Sequence, residues 1–208
     1  MRIGFVGAGN IGQALAGNLV ALGHDVALSN SRGPETLAEV VEELGPRATA
    51  VTTAEAADFG DVVVVTIPLG RVSELPAAAF DDKLVVDTCN YYPERDGQIA
   101  AIDDGSTTES ELVAAHLAGA TVVKAFNAIY FKHLAEQGDP HKQPGARRGI
   151  PIASDDAPSK LVVAQLIDQM GFDPVDAGPL SAGRAFENGA ELYGAELTGT
   201  ALGEALGV

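Results

Sequence analysis

Three glycines near the start of the 208-residue sequence have the types and spacing to line an anion-binding turn. They lie in the segment 7–12, which follows the apolar run 2–6 and precedes apolar residues at helical spacing. A strand, a glycine-rich turn and a helix in this order typically bind the pyrophosphate of a dinucleotide at the positive end of the helix. The alternative is that these glycines serve only a tight turn. The candidate pyrophosphate residues are Gly7, Ala8, Gly9, Asn10, Ile11 and Gly12.

The end of the second predicted strand, 25–29, indicates which dinucleotide is bound. An NAD site usually has a carboxylate there to accept from the ribose 2′-hydroxyl. Here Asn30, Ser31 and Arg32 follow the strand, and the first carboxylate is Glu35. Small hydrogen-bonding side chains and a guanidinium suit a 2′-phosphate, because arginine pairs with phosphate as a planar fork. We predict NADP(H); Asn30 and Ser31 could also cap the following helix.

Composition excludes several classes of protein. The net charge of −16 argues against binding to nucleic acid or to anionic membrane surfaces, so the predicted anion site must be locally basic or lined by amides. One cysteine, Cys89, cannot form an internal disulfide, and four scattered histidines show no metal-ligand spacing, so we predict no metal site. We recognise neither a signal peptide nor a membrane span, and we expect a cytoplasmic protein.

Apolar runs that alternate with helical patterns predict an α/β fold, a Rossmann-type doubly wound and mostly parallel sheet with a small C-terminal α/β extension. The β-branched run 61–67 predicts a strand that is buried on both faces. We also predict strands at 83–88, 121–126, 150–153 and 172–176, and helices at 70–79, 111–117 and 195–206. Residues 1–137 would form the nucleotide-binding domain and residues 138–208 a loop and an extension packed on the same sheet.

Residues 138–149 form a predicted surface loop with the only dense basic cluster of the chain. His141, Lys142, Arg147 and Arg148 lie there among prolines and glycines. A connection of this length is often functional. The basic residues could face an anion, or they could be incidental charges on a solvated connection.

Several segments make the sequence resemble a known family. The family is that of the small NADP-dependent oxidoreductases that reduce coenzyme F420, a deazaflavin. The segments that carry the similarity are Gly4–His24, Ser29–Leu37, Val62–Gly70, Val85–Asn90, Val122–Ile129 and Gly149–Arg184. They are also similar to the NADP-binding domain of transmembrane ferric reductases. The last thirty residues match this family poorly.

The resemblance implies roles for particular residues. Ile67 and Pro68 would pack on the nucleotide, and Asn90 together with Lys124 to Asn127 would line the nicotinamide crevice. These residues follow predicted strands, and open α/β sheets bind ligands at the carboxyl ends of their strands. The family also leaves room for a homodimer.

The implied reaction is hydride transfer between NADPH and a small-molecule acceptor, coenzyme F420 or a flavin such as FMN. The cofactors carry this chemistry, so no protein acid or base is obligatory. Lys124 and His133 are candidate catalytic residues that would stabilise charge on the acceptor; alternatively, Lys124 extends to solvent and His133 is a surface helix residue. Two other functions stay open. One is the reduction of a small carbonyl or imine, although such enzymes usually add a large helical domain. The other is a non-catalytic NADP-sensing module.

Overall fold

The computed structural model describes residues 1–208 and contains one eight-stranded sheet with helices on both faces. The strand order is β3-β2-β1-β4-β5-β6-β7-β8. The strands are β1 (Arg2–Val6), β2 (Asp25–Ser29), β3 (Ala48–Ala50), β4 (Val62–Val65), β5 (Leu84–Asp87), β6 (Thr121–Lys124), β7 (Gly149–Ala153) and β8 (Asp173–Gly178). The helices are α1 (Asn10–Ala21), α2 (Ala38–Leu44), α3 (Thr53–Phe59), α4 (Pro93–Asp96), α5 (Ala100–Asp103), α6 (Glu109–His116), α7 (Phe131–Glu136), α8 (Ala157–Gln169) and α9 (Gly199–Leu206). None of these helices is long and apolar enough to cross a bilayer.

The central strand β4 shows why a continuous β-branched run is needed here. Val62 and Val64 join the core beneath α1, α7 and α8, whereas Val63 and Val65 join the core beneath α3 and α6. Successive side chains of a strand point to opposite faces, so a strand covered on both faces must be apolar throughout. The predicted α/β fold with a mostly parallel sheet is confirmed.

The C-terminal part of the chain continues the same sheet. β7 lies antiparallel to β6 through the pair Lys124 and Ala153, and β8 lies parallel to β7. The sheet therefore reverses direction once, at the β6–β7 junction. The division of the chain at residue 137 into two units stays a prediction.

Local structure differs from the sequence prediction in three places. The predicted helix 70–79 is two 3-10 segments, Leu69–Glu74 and Ala77–Phe80, because Pro76 has no N–H to donate to a continuous helix. The predicted strand 121–126 ends at Lys124, and Phe126 adopts a left-handed backbone with φ 62°. The predicted helix 111–117 begins two residues earlier, at Glu109, as α6. The Thr108 side chain fixes this start by accepting from the Glu111 N–H in a capping box.

Candidate functional site

Two adjoining cavities open at the carboxyl ends of the parallel strands. One has a volume of about 450 Å³ and lies beside the ends of β1 and β2; we call it the adenosine-side cavity. The other has a volume of about 520 Å³ and lies over the ends of β4, β5 and β6; we call it the hydride-side cavity. Gly9, Thr66, Ile67 and Pro68 line both. A ligand with two halves can therefore lie across the sheet edge, with its middle over the glycine-rich turn.

The glycine-rich turn has the geometry that its sequence predicts. Gly7 has φ 112°, and a Cβ there would lie 2.1 Å from the Thr66 carbonyl oxygen. A Cβ at Gly12 would lie 2.5 Å from the Gly7 oxygen, so the helix packs directly on the turn. A Cβ at Gly9 would meet nothing within 4 Å, and α1 starts with no side-chain cap. The backbone at Gly9 and the helix N–H groups are thus open to a ligand.

The loop after β2 is held by its own side chains. Asn30 Oδ1 accepts from the Arg32 N–H at 2.9 Å, and Asn30 Nδ2 donates to Thr36 Oγ1 at 2.8 Å. Asn30 and Ser31 line the adenosine-side cavity. Arg32 is exposed, is outside the lining of that cavity and forms no ion pair in the structure. The loop therefore presents an uncompensated guanidinium beside the cavity.

Arg71 is a second arginine on the adenosine side, and the sequence analysis missed it. It lines the cavity from the 3-10 segment that follows Pro68. Its Nε lies 2.5 Å from Glu74 Oε1, so its charge is already balanced. Arg71 follows β4 and Ser31 follows β2, and both strands are neighbours of β1 in the sheet. The two residues therefore lie on opposite sides of the same cavity.

Two predicted asparagines meet at the hydride-side cavity. Asn90 Nδ2 donates to the Asn127 carbonyl oxygen at 3.0 Å, and Asn127 Nδ2 donates to Asn90 Oδ1 at 3.2 Å and to the Phe186 oxygen at 2.8 Å. Asn127 is only 3% exposed, and its Oδ1 has no hydrogen-bond partner. A buried acceptor without a donor costs about 1–3 kcal/mol. Asn127 lines this cavity, next to the strained backbone of Phe126, and its unpartnered Oδ1 is buried in the wall.

Lys124 does not line the crevice, contrary to our expectation, and it does not reach solvent either. Its side chain is 0% exposed. The ammonium donates to Glu109 Oε2 at 3.0 Å and to the Cys89 oxygen at 3.2 Å, and it lies 3.9 Å from Asp87 Oδ2. The reason is that β6 is central, so the Lys124 side chain points into the protein, where carboxylates compensate its charge.

These groups form a buried cluster beneath the hydride-side cavity, consisting of Lys124, Asp87, Glu109 and Glu187. Burial lowers the pKa of Lys124, but attraction by Asp87, Glu109 and Glu187 outweighs it, so the net shift is upward. Burial raises the pKa of Glu187, against the opposing attraction of Lys124. One cation among three carboxylates favours a proton on one of them, and the shift at Glu187 has that direction.

The cluster fixes the loop after β5. Asp87 Oδ1 accepts from the Cys89 N–H at 2.9 Å, and Glu109 Oε1 accepts from the Tyr91 N–H at 2.7 Å. Lys124 also donates to the Cys89 oxygen, so buried charges hold three backbone groups of the residues that flank Asn90: the Cys89 N–H, the Cys89 oxygen and the Tyr91 N–H. Lys124 thus acts on the crevice through the loop that carries Asn90.

His133 and the basic loop lie outside both cavities. His133 Nδ1 is 3.6 Å from Glu196 Oε1, and the His133 ring meets the Tyr130 ring edge-on, so it touches the crevice only through Tyr130. Arg147 donates to Asp168 at 2.7 Å and to the loop backbone, and Arg148 lies 3.5 Å from Glu196. The two arginines of the basic loop therefore fasten it to the protein.

Aromatic side chains surround the hydride-side cavity, and the sequence analysis missed them. Tyr92, Tyr130, Phe131 and Tyr193 line it, so three of the four tyrosines of the chain are there. Tyr193 comes from the C-terminal segment that the sequence left unpatterned. No local pattern brings residue 193 to residue 92, and only the tertiary fold reveals the pair.

Comparisons with known proteins agree with this geometry. The family described as NADP oxidoreductase, coenzyme F420-dependent, matches residues 2–91. A hypothetical protein from Sinorhizobium meliloti is 30% identical, with 95% of each chain covered and a TM-score of 0.82. A candidate F420-dependent NADP reductase from Arthrobacter sp. FB24 is 24% identical, with 89% of this chain and 88% of that one covered and a TM-score of 0.74.

A more distant structure shares the fold alone. The 3-hydroxyisobutyrate dehydrogenase of Mycobacterium tuberculosis is 22% identical and has a TM-score of 0.61. The matched region covers 88% of this chain and 56% of that one. The family match spans the glycine-rich turn, the loop after β2 and the strand ends through Tyr91, which include the whole lining of the adenosine-side cavity. Half of the residues that line the hydride-side cavity, Tyr92 and Tyr193 among them, lie outside the matched range. Residues 2–91 belong to the family of coenzyme F420-dependent NADP oxidoreductases.

Proposed function

We propose that this NADP-dependent oxidoreductase transfers hydride between NADPH and a planar ring acceptor, a deazaflavin of the coenzyme F420 type or a flavin. The concentration of aromatic side chains around the hydride-side cavity carries the proposal. Aromatic residues make up 5% of the chain, with no tryptophan, yet four of them line this cavity. Aromatic faces stack favourably on flat conjugated rings. A small aliphatic carbonyl would gain much less from such a lining.

The residues present fit NADP(H) at three points. The turn at Gly9 and the uncapped start of α1 suit the pyrophosphate, since no side chain or cap occupies them. Ser31 and Arg32 suit the 2′-phosphate. Asn127 lines the hydride-side cavity, where the carboxamide of nicotinamide would lie. Gly9, Thr66, Ile67 and Pro68, which line both cavities, would lie under the middle of the dinucleotide.

When it is bound, NADPH supplies the hydride, and the protein supplies placement. Ile67 and Pro68 present an apolar edge to the rings, while Tyr130 and Phe131 form the opposite side of the mouth. Asn127 would contact one ring from the wall of this cavity. The buried cluster keeps the Asn90 loop in one conformation, because carboxylates and an ammonium hold its backbone groups. Fixed geometry of this kind is the main protein contribution to a hydride transfer between two bound rings.

The test mixes the purified protein with NADPH and, in separate reactions, coenzyme F420, FMN and a panel of small carbonyls and imines. The absorbance of the reduced nicotinamide is followed over time. Turnover with F420 or FMN and not with the panel is the expected result. Turnover with the panel alone would replace the proposal with a carbonyl or imine reductase. NADPH binding without turnover of any acceptor would favour the remaining hypothesis, a non-catalytic NADP-sensing module.

A further inference from the structure

Two tyrosine hydroxyls meet at the wall of the hydride-side cavity. Tyr92 comes from the loop after β5 and Tyr193 from the C-terminal segment, 101 residues further on. Their oxygens are 2.6 Å apart, and both side chains line the cavity. The C-terminal segment is anchored on both sides of the cavity, since Asn188 Nδ2 donates to the Tyr91 oxygen at 2.8 Å and Asn127 Nδ2 donates to the Phe186 oxygen. The pair is therefore a fixed feature of the wall.

One of the two hydroxyl groups in this pair is a hydrogen-bond donor that the pair itself does not use. Each phenol has one O–H, and one of the two protons must lie between the oxygens. Neither hydroxyl bonds to any other protein atom, so the second proton has no acceptor in the protein. Burial, with the hydrogen bond from Tyr92 next in size, raises the pKa of Tyr193, which keeps the phenol protonated and makes it a donor rather than a base.

A cation strengthens this donor. The guanidinium carbon of Arg95 lies 4.8 Å from the centre of the Tyr92 ring, and Arg95 itself is fixed by the Asn90 oxygen at 2.6 Å and by Asp96. A cation over an aromatic face draws electron density from the ring. The O–H of Tyr92 becomes more polar as a result, and through the short hydrogen bond so does that of Tyr193.

We infer that the Tyr92–Tyr193 pair donates a hydrogen bond to a carbonyl oxygen of the acceptor ring as that ring takes up hydride. This rests on the proposed function. Two electrons and one proton leave NADPH together as hydride and form a new bond at the accepting ring atom. A double bond of the acceptor opens, and its electron pair moves through the conjugated ring onto a nitrogen and a carbonyl oxygen. The phenol O–H stays intact, and water supplies the proton that completes the reduced ring.

Hydrogen bonds that strengthen as charge develops accelerate a reaction more than they tighten substrate binding. The acceptor class thus narrows to rings that carry a carbonyl in conjugation with the accepting atom, which deazaflavins and flavins share. Aromatic acceptors without such a carbonyl would stack in the cavity but gain nothing from the pair. The pair therefore acts as a specificity determinant as well as a donor.

The test compares Tyr92→Phe, Tyr193→Phe and the double variant with the wild type. Both substitutions keep the ring and remove only the hydroxyl. Coenzyme F420 and FMN are the acceptors; kcat and KM are measured, and calorimetry gives the Kd of NADPH. We expect the double variant to lose about 10- to 100-fold in kcat, the scale of a hydrogen bond to a developing charge, with KM changed little and the NADPH Kd unchanged. One single variant should lose nearly as much, which identifies the hydroxyl that faces the acceptor.

Single-turnover reduction with NADPH deuterated at C4 adds an independent readout. If the pair acts on the hydride step, the primary isotope effect in the double variant should be at least as large as in the wild type. A double variant that keeps full kcat, or whose KM rises with kcat intact, would overturn the inference while leaving the proposed function in place. A folded wild type that binds NADPH but reduces neither F420 nor FMN would overturn the proposed function itself, and the inference with it.

Discussion

The two cavities of the crevice are built in different ways. The adenosine-side cavity takes its key groups from the first 31 residues and from the segment 66–76, and its charged side chains, Arg71 and Glu74, are more than half exposed. The hydride-side cavity takes its lining from segments as far apart as residues 9 and 194 and lies above the buried cluster around Lys124. In the proposed function, the first side would recognise a charge with exposed cations. The second depends on buried charges that act through the backbone, so we expect substitutions there to affect stability first and ligands second.

The largest effect is expected for Lys124→Met. This change removes the cation from the buried cluster and leaves the charges of Asp87 and Glu109 without the ammonium that balances them. Breaking a buried ion pair by removing one member costs about 3–5 kcal/mol, and we expect that loss in the free energy of unfolding measured with urea. Lys132→Met is the matched control, because Lys132 is exposed and forms no ion pair; it should change stability by less than about 0.5 kcal/mol. Equal stability of both variants would show that the Lys124 charge does not stabilise the folded protein.

The glycine-rich turn allows stability and binding to be separated. Gly7→Ala places a Cβ 2.1 Å from the Thr66 oxygen at φ 112°, so it should cost at least about 1–3 kcal/mol of stability. Gly9→Ala meets no protein atom, so it should cost no more than about 1 kcal/mol, the scale of a poorer N-cap. It should nevertheless weaken NADPH about tenfold or more, because the methyl group lies where a phosphate would approach. Urea melts and calorimetry measure the two effects. Wild-type affinity in Gly9→Ala would place the pyrophosphate elsewhere.

The contrast between the cavities also explains what the sequence could predict. Gly7 to Gly12 and Asn30 to Arg32 could be found because each set lies in one local segment whose spacing carries a physical meaning. Tyr193 could not, because its partner is 101 residues away and no local spacing links the two residues. Lys124 was expected to line the crevice or, alternatively, to reach solvent as a lysine at a strand end normally does, and the structure shows neither position. The carboxylates that keep it buried come from β5, α6 and the C-terminal segment.

Arg32 and Arg71 offer a matched pair on the adenosine side. Arg32→Ala should weaken NADPH by about 1.5–3 kcal/mol, the scale of a hydrogen bond to a charged group, and should leave NADH almost unchanged. Arg71→Ala should have a smaller effect on the NADPH-to-NADH ratio, because its guanidinium already pairs with Glu74. Calorimetry with both nucleotides measures the two ratios. An equal loss of NADPH and NADH affinity in Arg32→Ala would contradict the placement of the 2′-phosphate beside Arg32.

The smallest effect should be a pH dependence of stability on the hydride side, from Glu187. Burial raises the pKa of Glu187 above its usual 4.5, and Lys124, Glu109 and Arg184 are the charged groups that face it. The folded protein then holds a proton that the unfolded chain has released, so this group's contribution to stability falls as pH rises from 4.5 through the raised pKa.

Glu187→Gln removes this titration and keeps an oxygen to accept from the Glu109 N–H, which Glu187 Oε1 does at 2.7 Å. Urea melts of both proteins across a pH series give the difference in unfolding free energy, in which the titrations of groups that do not interact with Glu187 cancel. The stability of the variant relative to the wild type should therefore increase with pH across this window and then level off. Parallel curves would mean that Glu187 is ionised throughout in the folded protein.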